Sequence, residues 1–312
     1  MSEDSSASPN SAKSPPSMLG DLLVLTKFRL SALVIVTTFV GFWLRRGEDW
    51  SGWLLAHTII GSTLAAFGAA VFNQLMEVEP DSRMIRTADR PLPSGRISTA
   101  TAFGLGWVLS SFSLIHLAAK VNTEAAGITA LTLATYLFIY TPLKQTSATN
   151  TLVGAVSGAL PPLIGWVGAA GPSVDSTRYI RWELLLEPGA IYLFVLLFLW
   201  QLPHFLAINW MYRDEYQRGG FVMLANDDEQ GSRTSFHALV YALATILLMF
   251  YPVWQGVVQT WFLAPALLLS GWLCWLAWKF RMHRERSRAR SLFFCTLAYL
   301  PLILIFTALA WK

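Results

Sequence analysis

TSFHALVYALATILLMFYPVWQGVVQTWFLAPALLLSGWLCWLAW, Thr234–Trp278, runs for 45 residues without one Asp, Glu, Lys or Arg. About 20 apolar residues cross the hydrocarbon of a bilayer, at about 1.5 Å per residue, so this stretch is twice too long for one crossing and reads as two helices. The break is expected near Tyr251-Pro252 through Gln259, where proline removes a backbone donor and glutamine favours the interface. Six stretches free of the same four residue types surround it: Trp50–Met76, Ile97–Ala119, Ala125–Leu143, Gln145–Val174, Pro188–Tyr212 and Ser291–Trp311. Leu30–Leu44 has only 15 residues, but Lys27 and Arg29 can snorkel and extend it. The expectation is an all-α polytopic membrane protein with nine transmembrane helices.

Composition agrees. Of 312 residues, 54% are hydrophobic and 13% charged, with mean hydropathy +0.47; an ordinary soluble domain carries about 25% charged residues. That excludes a soluble enzyme, a disordered chain and a nucleic-acid binder despite the net charge of +4. The two cysteines, Cys274 and Cys295, sit in apolar stretches and read as small buried hydrophobes rather than a disulfide framework. With the N-terminus in the cytoplasm, 17 of the 23 Lys and Arg fall on that side and 6 on the other, as the positive-inside rule requires. Residues 1–17 are rich in Ser and Pro, contain Glu3 and Asp4, and lack the pattern of a transit or signal peptide. Residues 1–20 are therefore expected to be a disordered cytoplasmic tail, and 21–312 a single transmembrane domain in a bacterial plasma membrane. The basic run Arg281–Arg290 reads as a topology anchor at anionic lipid.

Two polar clusters end apolar stretches on the cytoplasmic side. In the first, Asn73, Glu77 and Asp81 are spaced i, i+4, i+8 and share one face of a continuous helix, which Pro80 threatens to break. Arg83, Arg86, Arg90 and Arg96 follow at once. Carboxylates backed by guanidinium groups suit a magnesium-bound diphosphate: one or two acids hold Mg²⁺, which bridges to phosphate oxygens, and arginine grips the rest. The second cluster runs from Trp200-Gln201-Leu-Pro203-His204 to Asn209, Arg213-Asp214-Glu215 and Arg218. His204 lies ten residues before Asp214, about 15 Å deeper along a helix; it is either a hydrogen-bonded core residue or a ligand lining a cavity. Between the clusters lies Tyr140-Thr141-Pro-Leu-Lys144, followed by Asn150, whose lysine either anchors topology or meets a phosphate. Gly154, Gly158, Gly165 and Gly168, with Pro161-Pro162, read as packing and cavity-shaping residues.

Asn73-xxx-Glu77-xxx-Asp81 with Arg83-Met84-xx-Thr87 resembles the first aspartate-rich motif of the intramembrane UbiA-type prenyltransferases. Three stretches resemble the protohaem IX farnesyltransferase (haem O synthase) branch of that superfamily. They are Arg86-Thr87-Ala-Asp89-Arg90-Pro91-Leu-Pro93, Tyr140–Lys144 continuing through Gly158-Ala-Leu-Pro161-Pro162 to Trp166, and Trp200-Gln201-Leu-Pro203-His204-Phe205. The resemblance covers about Leu22 to Trp311. Where many superfamily members carry a second Asp-xxx-Asp, the equivalent spacing here falls on Tyr212 and Tyr216, enclosing Asp214-Glu215.

The resemblance implies nine helices around a central cavity, with farnesyl diphosphate and haem B as substrates and Mg²⁺ as cofactor. It implies that Asn73, Glu77, Asp81 and Asp214 are catalytic and hold the metal. Arg83, Arg86, Arg90 and Lys144 would bind the diphosphate, with Thr87 and Arg90 ordering their loop, and His204, Gln201 and Trp200 would bind haem. A haem-modifying oxygenase is a candidate partner in the membrane. Three alternatives remain: a prenyltransferase for a quinone or chlorophyll precursor, a secondary transporter, and a haem-binding structural subunit. A transporter would place its charges near the midplane, and a structural subunit would leave the acid–arginine clusters idle.

Overall fold

The computed structural model describes residues 17–172 and 180–312. Residues 1–16, most of the expected tail, and Val174, the expected end of one crossing, lie outside the described residues. Tail residues 18–20 are instead the first turn of a short helix, α1 (Met18–Leu25), capped by the Ser17 hydroxyl accepting from Gly20 N. Among the described residues nine helices are long and apolar enough to cross a membrane. They are α2 (Phe28–Arg45), α3 (Gly52–Met76), α5 (Thr99–Lys120), α6 (Thr123–Leu143), α7 (Asn150–Gly168), α8 (Pro188–Met211), α10 (Ser232–Trp254), α11 (Thr260–His283) and α12 (Arg286–Ala310). Two short helices, α4 (Val78–Arg83) and α9 (Arg213–Arg218), follow α3 and α8. This is a multi-pass helical membrane protein.

Caps begin several helices where the sequence offers them. Ser51, Ser98 and Asn122 each accept a backbone N–H from the first turn of α3, α5 and α6, satisfying donors that the helix itself leaves free. The long apolar stretch breaks at Gln255–Gln259, as its proline and glutamines predict. There Gly256 takes φ +72°, and the turn is tied to the end of α12 through Gln259 N to Ala310 O (2.8 Å) and Lys312 N to Val257 O (3.1 Å).

α7 and α8 form the centre. α2, α3, α5 and α6 gather on the α7 side, and α10, α11 and α12 on the α8 side. Glycine decides how closely they approach. A Cβ on Gly165 would stand 1.8 Å from Thr38 O, and one on Gly41 1.9 Å from Pro162 O, so α2 and α7 touch backbone to backbone. Without a hydrophobic force between helices in lipid, such close van der Waals contact is the main association term. The glycines of α7 thus pack as their small size predicts.

α3 ends one turn earlier than Pro80 first suggests. Proline's missing N–H and its ring act on the carbonyl four residues before it, here Met76, and the chain turns at Glu77 (φ −107°, ψ 15°) before α4 resumes. α8 ends in the same backbone conformation at Tyr212 (φ −118°, ψ 21°).

Candidate active site

The first polar cluster closes on itself at one end of the bundle. Asn73, Glu77 and Asp81 stay buried at 0, 3 and 1% exposure despite the turn between them, and each faces a cation. Lys27 Nζ donates to Asn73 Oδ1. Lys144 Nζ lies 2.7 Å from Glu77 Oε1, and Arg90 Nη1 2.5 Å from Asp81 Oδ2. Asn73 Nδ2 also donates to Thr141 Oγ1 at 3.2 Å. Thr87 hydroxyl donates to Asp81 O (2.8 Å), which folds the arginine loop back over the cluster.

Two local features build this arrangement. Lys27 sits in the left-handed region (φ 47°) between α1 and α2, which turns its stem across to α3. Residues Thr135–Tyr140 of α6 form a π-helical turn, a local widening that often marks functional sites. That turn sets Tyr136 beside Tyr140, ring centroids 5.3 Å apart and tilted by 36°, and the Lys144 ammonium stands 4.5 Å from the Tyr140 ring. Gly154 accommodates that ring, for a Cβ there would meet it at 2.6 Å.

Charges are strongly coupled here. Burial alone would raise the Glu77 carboxyl, but Lys144 and Lys27 outweigh it and hold it below its ordinary value. Burial pushes Lys27 down to about 7 against the pull of Glu77, with Lys144 and Arg90 adding to the push. Burial would also lower Lys144, yet Glu77 and the neighbouring tyrosines raise it above its ordinary value. The result is a carboxylate paired with one ammonium, with a second lysine beside them that burial disfavours as an ion and Glu77 favours.

The second cluster meets the first. Val222 N donates to Lys144 O (2.7 Å), and Asn150 Nδ2 to Val222 O (2.8 Å). Arg86 lies over the rings of Tyr212 and Tyr216 at 5.2 and 6.0 Å, away from the acids with which its motif grouped it. Arg83 is spent on exposed Glu79. Asp214 is not brought in: its side chain is 79% exposed and lies 3.6 Å from Arg213. Its neighbour Glu215 is the inward acid, with Oε1 on Arg218 and Oε2 buried without a partner. Lys27 and Glu215 thus have positions that their places in the sequence do not announce: Lys27 reaches Asn73 instead of only lengthening its helix, and Glu215 Oε2 is buried where Asp214 is exposed.

Oxygen donors of this kind fit a magnesium ion. Among the described residues no three His, Cys, Asp or Glu side chains converge to enclose a cation by themselves. Mg²⁺ does not need that, since it keeps waters and phosphate oxygens and takes only one or two carboxylates. Asn73, Glu77 and Asp81 provide such a partial set; in the other cluster, the buried Glu215 Oε2 is a hard donor without a partner.

The residues expected at haem divide. Trp200 is buried, its indole N–H donating to Thr296 O (2.7 Å), and Gln201 is packed on Gly158 with its amide on Leu197 O (2.8 Å). Both are held inside helix contacts. His204 is partly exposed, stacked between Trp200 and Phe293 at 5.4 and 4.9 Å. Its Nδ1 lies 2.8 Å from Thr296 Oγ1, whose hydroxyl donates to Phe293 O (2.6 Å). That hydroxyl has one proton to give, so it accepts from Nδ1–H, and Nε2 carries the free lone pair.

A family model described as the UbiA prenyltransferase family matches residues 34–300. The chain is 41% identical over 286 residues to the protoheme IX farnesyltransferase of Opitutus terrae, covering 91% of this chain and 92% of that one. It is 39% identical over 292 residues to the protein of that name from Solibacter usitatus, covering 91% and 96%. The human mitochondrial protoheme IX farnesyltransferase is 38% identical over 291 residues, covering 92% of this chain and 61% of that one. Among solved structures, a digeranylgeranylglyceryl phosphate synthase superposes with TM-score 0.75 at 14% identity, covering 94% and 98%. A UbiA homolog from Archaeoglobus fulgidus bound to GPP and Mg²⁺ does so with TM-score 0.63 at 12% identity, covering 92% and 99%. The structural likenesses carry the fold, and the sequence relatives and the matched span carry the lineage: the chain belongs to the UbiA prenyltransferase family.

Proposed function

We propose that this protein transfers the farnesyl group of farnesyl diphosphate to the 2-vinyl group of haem B, with addition of water, releasing haem O and diphosphate. The observation that carries this reading is its similarity, over nine-tenths of both chains, to proteins named protoheme IX farnesyltransferase. The alternating acids and cations at one end of the bundle supply the chemistry that such a transfer needs.

Asn73, Glu77 and Asp81, joined by Glu215 rather than exposed Asp214, would hold Mg²⁺, which when bound neutralises diphosphate oxygens. Lys144, Lys27 and Arg90 face the same anion and bear its growing charge as the bond from farnesyl C1 to oxygen breaks, the electron pair leaving with diphosphate. The ring faces of Tyr136 and Tyr140 stabilise the allylic cation left behind. The vinyl π pair then forms the new carbon–carbon bond, the charge moves to the inner vinyl carbon, and water adds there with loss of a proton. His204 orients the porphyrin by offering Nε2 to its iron.

This reading puts the site at the cytoplasmic face of a bacterial plasma membrane, with the N-terminus on that side and the C-terminus opposite. A membrane oxygenase that modifies haem further is the natural consumer of the product. Mass spectrometry of haem from cells with and without the protein tests the proposal. A hydroxyethyl-farnesyl addition that depends on the protein is expected, as is transfer by purified protein to haem and not to 4-hydroxybenzoate. Unmodified haem in both cell types would overturn it.

A further inference from the structure

Tyr212 is shared by two arginines from opposite halves of the chain. Arg86 stands 5.2 Å from its ring and Arg286, at the start of α12, stands 5.8 Å from it. Both are exposed, and neither has a carboxylate or carbonyl partner among the described residues. Their neighbours differ: Arg83, Arg90 and Arg218 are each spent on an acid. Close by on α12, the buried Nε of Arg288 also lacks a partner. Two guanidinium groups held by one ring, with their forks free, make a site for two carboxylates, because arginine binds each in bidentate fashion and aromatic stacking presets its plane.

The surroundings narrow the ligand. Seven residues after Arg286, two turns or about 10 Å along α12 and on the same face, lies Phe293, stacked on His204 at 27°. In the other direction Arg86 reaches Tyr216 at 6.0 Å, on the side of Lys144 and Glu77. A ligand held here would carry anionic groups on one edge, a flat apolar body against the aromatic wall, and a reactive edge near the diphosphate centre. Haem B has that form: two propionates on an otherwise apolar macrocycle.

We propose that Arg286 and Arg86, braced on Tyr212, clamp the two propionate carboxylates of the porphyrin substrate and so choose which edge of the ring meets the farnesyl group. This rests on the haem-alkylating reading above. It assigns Arg86 to the acceptor rather than to the diphosphate, and it gives Arg286 a role beyond anchoring topology.

The test uses purified full-length protein with farnesyl diphosphate and either haem B or its dimethyl ester, in which the propionates are neutral. For wild type, the KM for the ester should exceed that for haem B by roughly tenfold or more, the scale of a lost charge-assisted contact. Arg286→Ala and Arg86→Ala should each raise the KM for haem B part of the way to the ester value, and the double variant to near it, with the ester value unchanged in all three. Arg286→Lys, which keeps the charge but not the fork, should recover part of the difference. Absorbance titration of haem binding gives the same comparison without turnover. Variants that still discriminate acid from ester as wild type does would overturn the clamp and leave the haem reading standing. A wild type that alkylates neither compound would overturn both.

Discussion

Tyr212 stands at the end of α8 where Glu77 stands at the end of α3: each is the residue at which the helix turns, with nearly the same backbone angles. Four residues on, Tyr216 corresponds in the same way to Asp81. The two ends are related in geometry but not in chemistry. One offers buried carboxylates to cations, and the other offers rings to Arg86 and Arg286. Because Asp214 lies two positions past the turn, about 200° around a helix, it faces outward.

That asymmetry predicts which acid of the second cluster matters. Glu215→Gln should reduce farnesyl transfer by roughly a hundredfold, the scale of removing a preorganised electrostatic group. Asp214→Asn should stay within about threefold of wild type, as an exposed charge does. Initial rates at saturating haem check this, and the reverse order would return the metal-holding role to Asp214.

Glu77→Gln removes the partner of a buried ammonium. Breaking a buried ion pair on one side costs about 3–5 kcal/mol, so this variant should melt well below wild type in detergent. It should also lose transfer activity by at least about a hundredfold. Glu77→Gln with Lys144→Met should recover stability but not transfer. Recovery of both would mean that the pair serves the fold alone.

His204→Ala should weaken haem binding while the KM for farnesyl diphosphate stays unchanged. Thr296→Val should weaken haem binding less, because it removes the acceptor that holds Nδ1–H and leaves Nε2 free to turn. Titration of the haem absorbance measures both, and unchanged affinity in His204→Ala would remove this residue from the haem site.

Asp228 caps α10, accepting from Ser232 N at 2.9 Å and Thr234 N at 2.7 Å. Burial alone would raise its carboxyl, but these backbone donors outweigh it and hold it below its ordinary value. A lowered folded-state value means that the stabilisation is complete above the unfolded value of about 3.9 and is lost as pH falls through the folded one. Asp228→Ala should therefore lower Tm at neutral pH by an amount equivalent to about 1 kcal/mol. The wild-type and variant melting curves should begin to approach each other below about pH 4 and meet only once pH has passed beneath the lowered folded value. A difference that persists at low pH would show that the cap acts without its charge.

Hydropathy alone determined the membrane architecture, and helical spacing alone marked Asn73 and Glu77 as neighbours one turn apart, because both are local properties of consecutive residues; Asp81, past the turn at Glu77, stays with them only through the packing of α4 and its pairing with Arg90. Even the split of Thr234–Trp278 into two crossings was written in length, proline and glutamine. What lay beyond a helix break was not legible. Once the chain turns at Glu77 or Tyr212, a residue's direction depends on backbone angles set by the packing of other helices, so Glu215 and not Asp214 turns inward. Lys27 meets Asn73 from 46 positions away, through a left-handed turn that no periodicity announces. Trp200 and Gln201 look like ligands beside His204, yet α12 and Gly158 claim them, since only three-dimensional contact decides which polar groups are already satisfied.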